Sequence, residues 1–181
     1  VGEIWKAPVL RGALNGDLVQ VSRPTALNEK DKFPRFSPDG SRIAFSRSTL
    51  GGRVMSIRPD GTDEQAETAG GSWNGPAWLT NSRLTASKLG VGDESGFFAF
   101  DRGSTARTRL SGDQAAMPQC LTPDGQWVIY TVTERAGSAD AGRLYIRRVD
   151  GTRSAIRLSD STGTLSDGNA QIVMLPLVTM G

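Results

Sequence analysis

The 181-residue sequence contains no histidine and a single cysteine, and these two shortages narrow its possible chemistry. Without histidine, the chain cannot complete a Ser-His-Asp or Cys-His nucleophile system, and zinc sites built on imidazole are excluded. Cys120 has no second cysteine to form an internal disulfide with and no imidazole to activate its thiol, so we expect a small buried apolar residue at the start of a strand. Chemistry based on lysine, tyrosine or carboxylates remains open.

The sequence also lacks a strong charge and a long apolar run. Its 21 basic and 19 acidic residues leave a net charge of +2, too small to predict nucleic-acid binding although the pI is about 9.0. No stretch approaches the ~20 apolar residues of a membrane span, so we expect none in this segment. The first residue is Val1 and no signal-peptide pattern follows it, so we expect that processing or truncation has removed the original start.

Turn-forming residues are plentiful, with 22 glycines and 9 prolines, as a fold of many short strands requires. One sequence motif recurs: an apolar residue, a hydroxyl residue, Pro-Asp-Gly, two variable residues and an apolar run. It occupies residues 36–45 and residues 121–130, and a weaker copy lies at residues 78–84. The motif therefore indicates a structural repeat.

The period of this repeat is 42 residues, because the prolines that precede the three copies stand at Pro34, Pro76 and Pro118. A repeat of about 40–45 residues built from short strands is typical of a β-propeller blade. The sequence thus predicts an all-β fold, a β-propeller of four-stranded antiparallel blades, with residues 1–181 forming a single domain or a segment of a larger propeller. The predicted complete blades are residues 30–71, 72–113 and 114–163, and the partial blades are residues 1–29 and 164–181. The inner strands of the first two complete blades are predicted at residues 34–37 and 76–79.

Four Asp-Gly pairs are predicted to form structural turns. In a Pro-Asp-Gly turn, proline presets φ, aspartate bonds its own backbone and glycine takes a positive φ. We therefore interpret these aspartates as turn formers and not as functional carboxylates. The pairs are Asp39 with Gly40, Asp60 with Gly61, Asp124 with Gly125, and Asp150 with Gly151.

The two full copies of the motif resemble the TolB-like propeller repeat, as do the later Asp-Gly-Thr turns at residues 60–62 and 150–152. The resemblance covers roughly residues 30–160, although residues 80–82 (Thr-Asn-Ser) replace Pro-Asp-Gly in the middle copy. Propellers of that family occur as periplasmic envelope proteins, as lids on serine peptidases and as sensor domains of membrane-bound regulators. The resemblance implies a partial propeller from an exported bacterial protein, located in the periplasm or outside the cell.

Because the repeat is a folding motif, function is expected in the loops. We predict a non-catalytic module for binding or scaffolding, without a cofactor or a metal, whose partner is another protein or the rest of a longer chain. Two alternatives remain: the gating domain of a serine peptidase whose catalytic domain lies outside this chain, and the sensor domain of a membrane-bound regulator.

Candidate binding residues lie in loops predicted at one end of the channel. These are the blade-to-blade loops and the loops between the second and third strands, including a longer loop at residues 134–142. Trp73, in the predicted loop at residues 70–75, is either an exposed anchor or a side chain packed between blades. The acidic residues of the loops lack the spacing of a calcium loop, which needs six or more oxygen ligands, so we interpret them as solvated. The binding residues predicted at this end are Trp73, Asn74, Asp93, Glu94, Glu134 and Arg135.

The two ends of the chain resemble incomplete blades. Residues 3–7 and 17–22 are predicted to form a third and a fourth strand, and residues 170–177 one or two inner strands. Because soluble proteins avoid long unpaired strand edges, either these ends complete one shared blade or both pair with sequence outside this chain.

Overall fold

A computed structural model describes residues 2–10, 13–14, 16–23, 29–48, 52–90, 96–111, 117–122, 124–136, 139–150 and 152–158. Every regular element among these residues is a β-strand, so the predicted all-β class is confirmed. The strands are β1 (Trp5–Lys6), β2 (Val9–Leu10), β3 (Ala13–Leu14), β4 (Val19–Gln20), β5 (Lys30–Phe36), β6 (Ile43–Ser48), β7 (Arg53–Ile57), β8 (Gln65–Ala66), β9 (Trp73–Trp78), β10 (Arg83–Lys88), β11 (Gly96–Asp101), β12 (Thr108–Ser111), β13 (Met117–Leu121), β14 (Trp127–Ala136), β15 (Ala139–Arg148) and β16 (Ile156–Arg157).

Three four-stranded antiparallel sheets follow one another along the chain. Strands β5–β8 form blade I, β9–β12 form blade II and β13–β16 form blade III, and within each blade every strand pairs with the next one in sequence. In the first part of the chain, β1 pairs with β4 and β2 pairs with β3. The strands predicted at residues 3–7 and 17–22 are therefore present in part, as the two-residue strands β1 and β4. Residues 170–177 lie outside the described residues.

The apolar core lies between the blades. One cluster joins β1 and β4 to blade I, a second joins blades I and II, and a third joins blades II and III. The first contains Ile4, Val21, Ile43, Phe45, Met55 and Ile57. The second contains Ala44, Val54, Trp73, Trp78, Leu84, Ala86, Phe98 and Phe100. The third contains Leu79, Phe97, Ala99, Leu110, Val128, Tyr130, Val132 and Val149.

Two inner strands begin earlier than predicted. Strand β5 begins at Lys30 and not at Pro34, and β9 begins at Trp73 within the predicted loop. In β5 the pairing register with β6 shifts between Lys32 and Arg35, so an irregular step lies inside a continuous strand. The prolines of the repeat mark this step and not the start of the strand.

The prediction of a loop at residues 134–142 is wrong, because most of this segment belongs to a β-hairpin. Strands β14 and β15 pair over ten positions, from Trp127 with Arg148 to Ala136 with Ala139. In blade I, the equivalent strands β6 and β7 pair over only five positions. The polar residues of this segment suggested a loop, but antiparallel pairing satisfies their backbone groups and extends the blade.

Turns of the same geometry recur at the Pro-Asp-Gly ends of the blades. Gly40 and Gly125 have φ of 70° and 65°, as their place after Pro-Asp predicts. The Gly40 N–H donates to the Ser37 carbonyl oxygen at 2.9 Å, and the backbone N–H of Asp39 donates to Asn81 Oδ1 of blade II at 3.1 Å. These turns therefore both reverse the chain and connect neighbouring blades.

We expect the Gly125→Ala substitution to lower the free energy of unfolding by about 1–3 kcal/mol, because alanine is strained at this φ. The new Cβ would also lie 3.1 Å from the Leu79 carbonyl oxygen. Gly40→Ala is the matched control, since its Cβ would meet no described atom within 4 Å. Urea unfolding of both variants measures the difference, and an equal loss at the two positions would show that the contact with Leu79 has no cost.

Candidate binding groove

The connections predicted to carry function lie at one end of the blades, opposite the Pro-Asp-Gly turns. At this end, called the loop end below, Lys30 of β5 pairs with Ser48 of β6. In blade II, Lys88 of β10 pairs with both Trp73 of β9 and Gly96 of β11. In blades I and II, the start of the inner strand therefore lies beside the connection between the second and third strands.

A groove of about 270 Å³ lies between blades I and II at the loop end. A backbone contact joins its two walls, because the Trp73 N–H donates to the Gly52 carbonyl oxygen of blade I at 3.2 Å. Within blade II, the Leu89 N–H donates to the Ser72 carbonyl oxygen at 3.1 Å. The Ser46 hydroxyl also accepts from the backbone N–H of Gly75 at 2.9 Å. The groove is lined by Lys32, Phe33, Ser46, Ser48, Gly52, Ser72, Trp73, Asn74 and Leu89.

Trp73 lies at the base of this groove and is packed between blades. Only 4% of its surface is exposed. Its ring makes edge-on contacts with Phe98 and Phe100 at centroid distances of 5.7 and 5.8 Å, and the guanidinium of Arg107 lies 4.6 Å from its centroid. Of the two interpretations given to Trp73, the packed one is observed, because these aromatic contacts exclude an exposed anchor.

The other predicted binding residues are not assembled around Trp73 by the described structure. Asn74 lines the groove, half-buried, and its Oδ1 accepts from the Gly75 N–H at 3.0 Å. Asp93 and Glu94 lie outside the described residues. Glu134 and Arg135 lie in β14, in the extended part of the hairpin, where only the backbone is described. Their binding roles stay predictions.

Sequence analysis missed two residues with a strained backbone that line the groove. Phe33 and Ser72 have φ of 56° and 59°, in the left-handed region that residues other than glycine rarely adopt. Phe33 precedes Pro34 as Gly75, with φ of 58°, precedes Pro76 in blade II. Aligning the two repeats on their prolines would have revealed a phenylalanine where the next blade has glycine.

The turn aspartates at the opposite end have partners that explain them structurally. The pKa of Asp39 is lowered because its carboxylate accepts hydrogen bonds from the Ser37 hydroxyl and from the backbone and hydroxyl of Ser41. The pKa of Asp60 is lowered in the same way by the hydroxyl and backbone N–H of Thr62. These carboxylates thus stabilise turns in their ionised form.

Asp124 and Asp150 repeat this arrangement. The Thr122 hydroxyl and the backbone N–H of Gln126 lower the pKa of Asp124, and Thr152 does the same for Asp150. Gly151 lies outside the described residues. In the part of the chain that the structure describes, no three carboxylates or thiols are grouped to hold a metal ion.

A partly buried ionic cluster lies in blade I. Arg47 is buried and donates from Nε and Nη2 to both carboxylate oxygens of Asp31, at 2.7 and 2.9 Å. It also donates from Nη1 to Glu64 Oε1 at 2.6 Å. The hydrogen bonds that Arg47 donates to Asp31 are the main cause that raises the pKa of Arg47 above its ordinary value. The cluster ties the inner strand to the outer part of the blade.

Comparison with solved structures shows the class of fold. A protein assigned as TolB from Agrobacterium tumefaciens is similar over 88% of this chain and 56% of its own, with 24% identity and a TM-score of 0.66. TolB from Acinetobacter baumannii is similar over 79% of this chain and 35% of its own, with 16% identity and a TM-score of 0.62. This chain therefore has a TolB-like β-propeller fold and spans about half of the first structure.

Propellers in peptidases share the same fold at lower similarity. A structure from a study of two prolyl endopeptidases is 19% identical, with a TM-score of 0.56, over 78% of this chain and 23% of its own. No protein-family model matches the sequence, and no curated protein is significantly similar to it. The described residues contain no helix long and apolar enough to cross a membrane.

Proposed function

We propose that the chain is a non-catalytic propeller module that binds a protein partner in the groove at its loop end. The observation that carries the proposal is the conformation of Phe33, a residue that is 39% exposed and whose backbone has φ of 56°. A residue other than glycine held in this region costs about 1–3 kcal/mol, and such strain concentrates at functional sites. Gly75 shows that the same position in blade II avoids this cost.

The chemistry of the groove suits a polypeptide segment. Its volume of about 270 Å³ is smaller than the ~300–1,000 Å³ typical of small-molecule sites. Phe33 and Leu89 are exposed and can contact one apolar side chain, while Ser48 and Ser72 place polar groups beside them. Exposed Lys32 lies on the same wall and favours a carboxylate next to that side chain.

The extended hairpin of blade III enlarges the same end of the molecule. Its pairing continues from Thr133 with Gly142 to Ala136 with Ala139, beyond the length of strands in blades I and II. Four further positions at about 3.3 Å per residue add about 13 Å of strand. We propose that this arm adds contact surface for the partner, and that Glu134 and Arg135 act there.

Selection of displayed random peptides on the full chain tests the proposal. Peptides selected on the unmodified chain should bind the Phe33→Gly variant at least about tenfold more weakly, the loss expected for one apolar contact. The variant should keep its stability, because glycine removes the strain. Ile156→Gly, at an exposed apolar position of the outer strand β16, is the matched control. Binders indifferent to Phe33→Gly, or a variant markedly less stable than the unmodified chain, would contradict the proposal.

A second candidate function is that of a propeller domain in a larger enzyme. This is the gating role in a serine peptidase that sequence analysis left open, and the fold likeness to the prolyl endopeptidase structure favours it. The sequence that flanks this segment in the full gene discriminates the candidates. A Gly-x-Ser-x-Gly motif downstream favours the peptidase, and a winged helix with one membrane span favours the regulator. A signal peptide alone favours a periplasmic or extracellular binding protein, which is the location we propose.

A further inference from the structure

The strand pair β1–β4 has the hydrogen bonds of the outer half of a blade. The Ile4 N–H donates to the Ser22 hydroxyl at 2.9 Å, and the Ile4 carbonyl oxygen accepts from the Val21 N–H at 2.8 Å and the Ser22 N–H at 3.3 Å. In an antiparallel sheet, the N–H and the carbonyl oxygen of one residue bond to the same neighbouring strand. The same two groups of the next residue therefore face the opposite edge.

Blade I repeats these bonds at Val54 of its third strand. The Val54 N–H donates to the Thr68 hydroxyl at 3.0 Å, and its carbonyl oxygen accepts from Glu67 at 2.9 Å and Thr68 at 3.4 Å. Ile4 is therefore equivalent to Val54, and β1 is equivalent to β7. Consequently Trp5 is equivalent to Met55.

The strand that should lie beside β1 is not among the described strands. In blade I, Met55 pairs with Phe45 of the second strand β6, on the edge away from β8. At the equivalent edge of β1, the described residues provide no sheet partner. Because Trp5 and Ala7 alternate with Lys6, which faces β4, their backbone groups face this open edge.

An apolar groove lies next to the open edge. It has a volume of about 520 Å³, and its lining includes Ile4, Trp5, Ala7, Val19, Pro34 and Phe36. Below it is called the β1 groove. Phe36 is 57% exposed and Trp5 is 50% exposed, which is unusual for large apolar side chains on the inner and outer strands of a propeller.

Blade II shows what normally covers such a groove. Trp78 stands 42 residues after Phe36 and occupies the same place in the register, yet it is only 6% exposed. It packs in one cluster with Ala44 of β6 in the preceding blade, and its Nε1 donates to the Arg35 carbonyl oxygen of β5 at 2.9 Å. The cover of Trp78 thus comes from the inner two strands of the blade before it.

We propose that the β1 groove binds the inner β-hairpin of a TolB-like blade supplied by a polypeptide outside this chain. The hairpin adds a strand antiparallel to β1, bonds to the backbone of Trp5 and Ala7, and places a small apolar side chain on Phe36. The chain spans only 56% of the matched TolB structure, so a ring of this kind contains more chain than these residues supply.

A synthetic peptide with the sequence of residues 30–48, the inner hairpin of blade I, serves as the probe. It should bind the full chain with 1:1 stoichiometry, shift the fluorescence of Trp5 to the blue and slow hydrogen exchange at the amides of Trp5 and Ala7. The same peptide with Ala44→Asp should bind at least about tenfold more weakly, because the carboxylate would lie on the apolar side chain of Phe36, as Ala44 packs with Trp78 between blades I and II.

Protein variants locate the binding surface. Phe36→Lys should weaken binding at least about tenfold, whereas Ile156→Lys, at an equally exposed apolar side chain far along the sequence, should leave it unchanged. Phe33→Gly should also leave it unchanged, so this test and that of the loop-end groove are independent. Thermal unfolding of each variant confirms that it is folded, and hydrogen exchange of the unmodified chain needs no variant.

Three results would overturn the proposal. Protection of the Trp5 and Ala7 amides in the monomer without peptide, lost when residues 170–177 are deleted, would assign the groove to the chain's own C-terminal segment. Protection that rises with protein concentration as dimers form would assign it to a second copy. Fast exchange at both amides at saturating peptide would show that the edge accepts no strand.

Discussion

Replacing Arg47 with methionine is expected to lower the free energy of unfolding by about 3–5 kcal/mol, the usual cost of leaving one partner of a buried ion pair alone. The carboxylate of Asp31 is fully buried and receives two hydrogen bonds from Arg47, so the variant leaves this charge without its main donor. Urea unfolding measures the loss.

Arg58→Met is the control for Arg47→Met. Arg58 Nε lies 3.5 Å from Asp63 Oδ2, but its side chain is mostly exposed, so the expected loss is below about 1 kcal/mol. Combining Arg47→Met with Asp31→Leu should restore much of the stability, because an apolar pair can replace a buried ion pair. Equal losses at Arg47 and Arg58 would contradict the buried geometry.

Replacing Trp73 with alanine is expected to cost about 3–5 kcal/mol, the range for truncating a buried aromatic side chain. Its ring is enclosed by Phe98, Phe100 and Arg107, and alanine would leave a cavity between blades I and II. Thermal or urea unfolding measures this loss. Trp73→Phe should cost less, because it keeps part of the aromatic contact.

Trp5→Ala is the control for the Trp73 variant. Half of the surface of Trp5 is exposed in the isolated chain, so its truncation should cost about 1 kcal/mol or less. A small loss at Trp73 and a large one at Trp5 would reverse the assignment of these two residues. The comparison matters for function, because a binding defect in a Trp73 variant would otherwise be attributed to lost contact with a partner.

Local chemistry explains which parts of the fold could be predicted from the sequence. A Pro-Asp-Gly turn is determined by residues that adjoin one another. The conformation of Gly40 and Gly125 and the 42-residue period can therefore be predicted from the sequence. The start of β9 cannot, because Gly-Gly-Ser before Trp73 is typical of a loop, and the strand is stabilised by side chains of β11.

The candidate sites depended on contacts that no short motif contains. Arg47 meets Asp31 of β5 and Glu64, the residue before β8, and nothing in the local sequence indicates that these charges lie together. The strain of Phe33 is likewise a property of the irregular inner strand, visible only when the repeats are compared. The β1 groove follows from the absence of a described neighbouring strand, which is a feature of topology.

Because each core cluster is shared between neighbours, cooperativity in this chain should decline toward its N-terminal side. In repeat architectures, stability is approximately a sum over nearest-neighbour interfaces, and terminal units fray first. Blade II is packed on both sides, whereas the outer face of blade I is covered mainly by Ile4 and Val21. Amide exchange should therefore be slowest in β10 and β11 and faster in β6, and a hairpin bound to β1 should lengthen the cooperative unit by one interface.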